Sequence, residues 1–217
     1  MARHYKRPDY WTLKAHREGF PARSVYKLQE MDEKFALFGR GSLVRVLDLG
    51  AAPGSWSLYA ARRWGQNLAL TAVDTAQLLP ACAAALSSSA GSFVFVQGDM
   101  TALPVREAVS SHGPFDIVMS DAAPATTGNS SVDSLRSLAL AEAALDYAAA
   151  FLVKDGNFLV KVFQSADSAA LLSRLRSLFL RAQSFKPKAC RSESFETYYL
   201  GLQKRSNLSA HTPASLG

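Results

Sequence analysis

Residues 44–59 read VRVLDLGAAPGSWSLY, and the rest of the chain is organised around this stretch. Val44 to Leu49 is a short, branched apolar run with the length of a buried strand. It breaks at Gly50 and resumes after Gly54 with helical spacing, which predicts a strand, a glycine turn and a helix start in succession. Such a junction presents backbone amides to a polar ligand. The turn Gly50-Ala-Ala-Pro-Gly54 matches neither the dinucleotide fingerprint G-x-G-x-x-G nor a Walker A loop. A diphosphate needs several closely packed amides. An Ala-Pro interior suits a group without phosphates, such as the amino-acid portion of S-adenosylmethionine.

Working outward, apolar strands alternate with helical patterns. Strands are predicted at 43–49, 68–73, 93–96, 115–120 and 158–163, with two more at 182–187 and 196–203. Helices are predicted at 21–38, 55–65, 104–111, 132–152 and 167–181, while 75–92 reads as either a helix or a loose loop. This alternation predicts an α/β protein with a Rossmann-like, doubly wound, mostly parallel seven-stranded sheet. Ligands of such sheets bind beyond the carboxyl ends of the strands, which gathers Gly50–Trp56, Asp74, Asp99 and Asp121 along one edge. Asp74 is placed to accept hydrogen bonds from ribose hydroxyls, and Asp99 from an adenine amino group. One acid at a strand end is commonly a cap or turn former. Three beside this turn point to a site.

Two charged residues stand in apolar settings. Lys161 interrupts FLVKVF, where an ammonium costs desolvation unless it is paired or lies at the rim of a site. It reads either as a lysine that snorkels to water or as a base whose pKa burial and a neighbouring cation lower. Lys27 can supply that cation, and Asp121 would oppose the shift and hold the ammonium in place. Glu196 opens the last strand in SESFETYY. Arg23 and Lys27 lie one turn apart and can point together toward a ligand.

The formal net charge of +6 is concentrated at the ends. Arg3, Lys6, Arg7, Lys14, Arg17, Arg23 and Lys27 face only Asp9 and Glu18 in the first 27 residues. Arg181, Lys186, Lys188, Arg191, Lys204 and Arg205 face only Glu193 and Glu196 near the other end. This pattern suits a polyanion docking where both ends meet, and solvated ends that aid solubility are the alternative. Residues 1–20 read as an irregular basic arm whose Tyr5, Tyr10, Trp11 and Phe20 can stack on bases, 21–203 as one domain, and 204–217 as a disordered tail. Cys82 and Cys190 have neither metal-ligand spacing nor disulfide density, so no metal is expected. With no apolar span and no signal-peptide pattern, a cytoplasmic protein without membrane contact is expected.

Several ordered motifs together resemble the FtsJ/RrmJ-type ribose 2′-O-methyltransferases of large-subunit ribosomal RNA. They are ARSVYKL (22–28), LDLGAAPGSW (47–56), QGDM (97–100), SDAAP (120–124), VKVFQ (160–164) and KPKACRSESFETY (186–198). The sequence departs from the family pattern at Ser55, where a second Gly is common, and at 125–128, which lacks an Asn. The resemblance implies the class I S-adenosylmethionine-dependent methyltransferase fold. It places a catalytic Lys–Asp–Lys–Glu tetrad on Lys27, Asp121, Lys161 and Glu196. Cofactor contacts fall on Gly54, Trp56, Asp74, Asp99 and Asp121, with the turn residues Gly50 and Pro53 beside them. It further implies methyl transfer to a ribose 2′-hydroxyl, with Lys161 as base and RNA as partner, a uridine of 23S ribosomal RNA being the expected target. DNA is excluded because it has no 2′-hydroxyl. The expected unit is a monomer. Transfer RNA is the alternative substrate, and a non-catalytic RNA-binding ribosome-assembly factor the alternative class. A base methylator fits less well, since Ala125 follows Asp121-Ala-Ala-Pro124 where an aromatic would stack the flipped base.

Overall fold

Strand β1 (Val44–Leu49) has its buried side chains on both faces, and Val46, Leu47 and Leu49 are fully enclosed. It forms the middle of a sheet with β2 (Leu68–Asp74), β3 (Ser92–Gln97), β4 (Phe115–Ser120), β5 (Leu152–Phe163), β6 (Phe179–Phe185) and β7 (Glu196–Lys204). The computed structural model describes residues 9–39, 42–125, 127–165, 167–191 and 194–206. The basic residues expected before Asp9, and the tail after Ser206, lie outside them.

The strand order is β3-β2-β1-β4-β5-β7-β6. Strands β1 to β5 pair in parallel, and β7 runs antiparallel between β5 and β6. Two consequences position the site. The order reverses between β1 and β4, which opens a crevice at their carboxyl ends. And because β7 is antiparallel, its first residue lies beside the last of β5, with Glu196 opposite Phe163 and Tyr198 opposite Lys161.

Helices cover both faces. Helices α2 (Val25–Phe35), α3 (Ser55–Trp64) and α4 (Pro80–Ser89) pack on one side through Leu28, Met31, Trp56 and Leu86. Helices α5 (Leu103–Ser110), α6 (Ser130–Phe151) and α7 (Ser168–Leu178) pack on the other through Val109, Ala144, Leu145 and Leu171. The fold class matches expectation, and 75–92, left open between helix and loop, contains α4. No helix of the described residues is long and apolar enough to cross a membrane.

Three local expectations change. Residues 10–17 are not irregular: Tyr10–Arg17 form α1, capped by Asp9, whose carboxylate accepts the Thr12 amide at 2.9 Å. Only Ala15 of α1 is buried, so its apolar spacing is too weak to read. Trp11 leans on Tyr26 with ring centroids 5.1 Å apart, which docks the helix. Strand β5 begins at Leu152, directly after α6, because the register slips between Phe115↔Leu152 and Ile117↔Asn157 and lets the exposed Lys154 and Asp155 bulge out. Strand β6 begins at Phe179, directly after α7, where a continuous apolar run reads as more helix.

Candidate active site

At the crevice between β1 and β4 lies a cavity of about 540 Å³, within the usual range for small-molecule sites. The glycine turn forms its floor. The amides of Gly50 and Ala51 both donate to the Val73 carbonyl, at 2.8 and 3.1 Å, which bends the chain sharply off β1. Gly50 has φ +75°, and a Cβ there would lie 2.6 Å from the Ala122 backbone. The position therefore admits only glycine, since any side chain would meet the loop after β4. The amide of Ala52 is taken by Asp74 Oδ2 at 2.8 Å, so Asp74 braces the turn as well as lining the cavity. Ser55, where a second glycine is common in the resembling family, accepts the Ala22 amide through Oγ at 2.9 Å and ties the turn to the lead-in of α2.

The cavity wall brings together Gly50, Pro53, Asp74, Asp99, Asp121, Lys27 and Lys161 of the expected residues, with Arg23 at the rim. Asp99 Oδ1 accepts the Thr101 amide and hydroxyl, both at 2.8 Å, and these bonds hold its carboxyl below the usual range. Its other oxygen accepts no bond among the described residues. Gly54 and Trp56 lie behind the wall. Trp56 is buried, donates Nε1–H to the Ser24 carbonyl at 2.9 Å and leans on Tyr198 with centroids 5.9 Å apart.

Opposite the turn stands a chain of charges. Since Ser120 pairs with Val160, the next residues in register are Asp121 and Lys161. Lys161, 7% exposed, donates Nζ–H to the Asp121 carbonyl and pairs with Asp121 Oδ1 at 3.1 Å. An ammonium has three donors, so one remains. On the far side, Lys27 pairs with Glu196 Oε1. The hydroxyl of Tyr198 lies between the two carboxylates, 2.7 Å from Asp121 Oδ1 and 2.9 Å from Glu196 Oε1. It has one proton for two acceptors and links the pairs into the order Lys161–Asp121–Tyr198–Glu196–Lys27. Burial and both carboxylates push the Tyr198 hydroxyl well above its ordinary pKa, so it stays neutral. Burial alone would raise the Asp121 carboxyl, but Lys161, Lys27 and the Tyr198 hydroxyl together hold it below the ordinary carboxylate range. Cys190 Sγ donates to Glu196 Oε1 at 3.5 Å, and burial and that carboxylate push its thiol up to about 12. It is no nucleophile at neutral pH.

Sequence reasoning missed Tyr198, which reads as a core aromatic in an apolar strand; the available signal was its alternation with Glu196 on one face of β7. Arg23 also does more than its position suggested. It pairs with Asp9 and donates to the Ala189 carbonyl, joining the start of α1 to the basic segment 186–191. The Lys188 amide adds a bond to Glu30 at 2.7 Å. The described parts of the two basic ends therefore meet beside the cavity.

A doubly wound sheet with an antiparallel seventh strand, a glycine turn and acids at successive strand ends defines a class I S-adenosylmethionine-dependent methyltransferase. A family model described as FtsJ-like methyltransferase matches residues 20–204, and the chain belongs to that family. A protein of Treponema denticola named ribosomal RNA large subunit methyltransferase E is 49% identical over 198 residues, covering 91% of this chain and 96% of its own. A protein of the same name from Bdellovibrio bacteriovorus is 41% identical over 204 residues, covering 93% and 99%. Among solved structures, a Plasmodium falciparum ribosomal RNA methyltransferase superposes with a TM-score of 0.69 at 22% identity, covering 85% of this chain and 98% of its own. Human methyltransferase-like protein 13 in complex with SAH reaches 0.59 at 14% identity, covering 88% and 85%. These two share the fold.

Proposed function

We propose that this chain transfers a methyl group from S-adenosylmethionine to a ribose 2′-hydroxyl of large-subunit ribosomal RNA, a uridine of the 23S molecule, with Lys161 as the base. The observation that carries this reading is Lys161 at the cavity wall, buried and held by Asp121, facing the glycine turn across the crevice. Relatives that align with about nine-tenths of the chain are named for large-subunit ribosomal RNA, which supports the substrate.

The residues fit the cofactor. The turn from Gly50 to Gly54 would lie along its amino-acid portion, Asp74 would accept from its ribose hydroxyls, and Asp99 has an oxygen available for an adenine amino group. When bound, the cofactor supplies an electrophilic methyl on a sulfonium. A ribose hydroxyl is a weak nucleophile, so its proton must leave as the new bond forms. Lys161 Nζ would accept that proton as the oxygen–methyl bond forms at the expense of the sulfur–methyl bond. Asp121 aims Nζ, and Lys27 and Glu196 orient the hydroxyl from the other side. Positioning supplies most of the acceleration, and the base adds roughly 10²–10⁴-fold. The protein acts as a cytoplasmic monomer, its domain flanked by a basic arm and a tail. That domain starts at residue 21 and runs past the expected end at 203, because Lys204 closes β7, is buried and donates to the Leu152 carbonyl at 2.9 Å.

The test incubates the purified chain and tritiated cofactor with ribosomal subunits, free ribosomal RNA or bulk transfer RNA. The expected result is label in large-subunit RNA at one alkali-resistant linkage, 3′ to a modified uridine. Label confined to transfer RNA, or to a base, would overturn the reading.

A further inference from the structure

We propose that Phe195 is a stacking platform for the nucleobase adjoining the methylated ribose. The proposal rests on RNA being the substrate. At 72% exposure Phe195 is the most exposed of the large apolar side chains among the described residues. Its backbone is fixed all the same, because its carbonyl accepts the Gln164 amide at 2.9 Å and Glu196 follows it directly. A rigid backbone that holds an aromatic ring out in water, one residue from the charge chain of the site, is the arrangement a sequence-tolerant base contact needs.

The ring borders a groove of about 270 Å³ lined by Gly128, Ser130, Asp133, Ser134 and Phe163. This groove is lined by the same three elements as the main cavity. Lys161 walls the cavity and Phe163 the groove, two residues or roughly 6.6 Å further along β5. Ala123 and Gly128 do the same along the loop after β4, and Leu140 and Asp133 along α6. An RNA strand whose ribose reached Lys161 would carry its neighbouring base into the groove.

The charges favour a base over a phosphate there. Among the described residues the groove's one charged group is the Asp133 carboxylate, already engaged by the Thr127 amide and hydroxyl at 2.8 Å. Serine hydroxyls remain, which can pair with a base edge of either polarity. Cations suited to phosphates stand on the adjoining segment. Lys186 is exposed and tied to the Ser194 carbonyl at 2.7 Å, and Arg191 is exposed as well.

The test compares the full chain with F195A and F195W on large ribosomal subunits. F195A is expected to raise KM for the subunit about 10-fold, the scale of one lost base stack, while cofactor affinity holds and F195W restores KM. A KM for F195A within twofold of the parent overturns the proposal, as does failure of F195W to restore it. A dimer that F195A dissociates at unchanged KM would assign the ring to a second copy and overturn it too. If the parent labels no RNA at all, the RNA reading falls and this proposal with it; if the parent labels RNA and F195A matches it, the platform alone falls.

Discussion

Where β1 and β2 reach the cavity, the wall is made of main chain. The Gly50 and Ala51 amides turn back onto Val73, the Ala52 amide is held by Asp74, and Gly50 lies against Ala122 with no side chain between them. Across the crevice, where β4 and β5 end and β7 begins, the wall is made of side chains drawn from three strands and one helix, linked from Lys161 to Lys27. The first half is local, so its shape is encoded in one short stretch. The second is a juxtaposition that exists only once β7 has paired antiparallel beside β5. The two halves should therefore fail in different ways, one by losing the cofactor and the other by losing turnover.

The largest effect is expected on the lysine side. Lys161→Ala should lower kcat by roughly 10³-fold, the scale of a positioned base, while cofactor affinity in calorimetry stays within a few-fold. Lys161→Arg should be similarly slow, since a guanidinium keeps the charge but is not a base at neutral pH. Turnover retained in either variant, measured by tritium transfer, would remove Lys161 from the proton's path. On the turn side, Gly50→Ala places a Cβ 2.6 Å from backbone at φ +75°. Left-handed strain and displacement of the loop after β4 together should cost about 3 kcal/mol, shared between stability and cofactor affinity. Unchanged cofactor binding with a normal melting temperature would show that the turn yields more easily than its packing implies.

The same division explains what could be read in advance. The turn, the strand-end acids and the parallel strands follow from local pattern, because glycine spacing and apolar runs are local consequences of backbone geometry. Lys161 and Glu196 announced themselves as charges in apolar strands. Tyr198 did not, since a tyrosine in YYLGL is equally at home in a core, and only its pairing with Lys161 across β5 and β7 gives its hydroxyl two carboxylates to join. The starts of β5 and β6 were hidden for another reason. Each follows a helix without a linker, so no turn residue marks the boundary. Asp48 carries the same signal as Lys161, a charge inside VRVLDL, but its neighbour Gly50 drew the functional reading away from it.

Asp48 lies under both halves and offers the smallest and most specific test of how they are coupled. It is fully buried, accepts the Ser57 hydroxyl at 2.7 Å through Oδ2, and its Oδ1 has no partner among the described residues. Burial, helped by Asp121 from one half and Asp74 from the other, pushes its carboxyl from 3.8 up to about 7, against the opposing pull of Ser57. A carboxyl raised on folding binds its proton more tightly in the native state. Between pH 4 and 7 the folded chain therefore holds a proton that the unfolded chain has released, and stability falls as pH rises through that window. Above pH 7 both states are ionised and this slope ends. Asp48→Asn cannot ionise, so it should lose this component of the pH dependence. Its urea-unfolding free energy relative to the parent should improve by about 2 kcal/mol between pH 5 and pH 8. A difference between the two proteins that stays constant with pH would mean that Asp48 is ionised throughout. The field of Asp74 and Asp121 would then be screened from it, and the turn and the charge chain would be electrostatically independent.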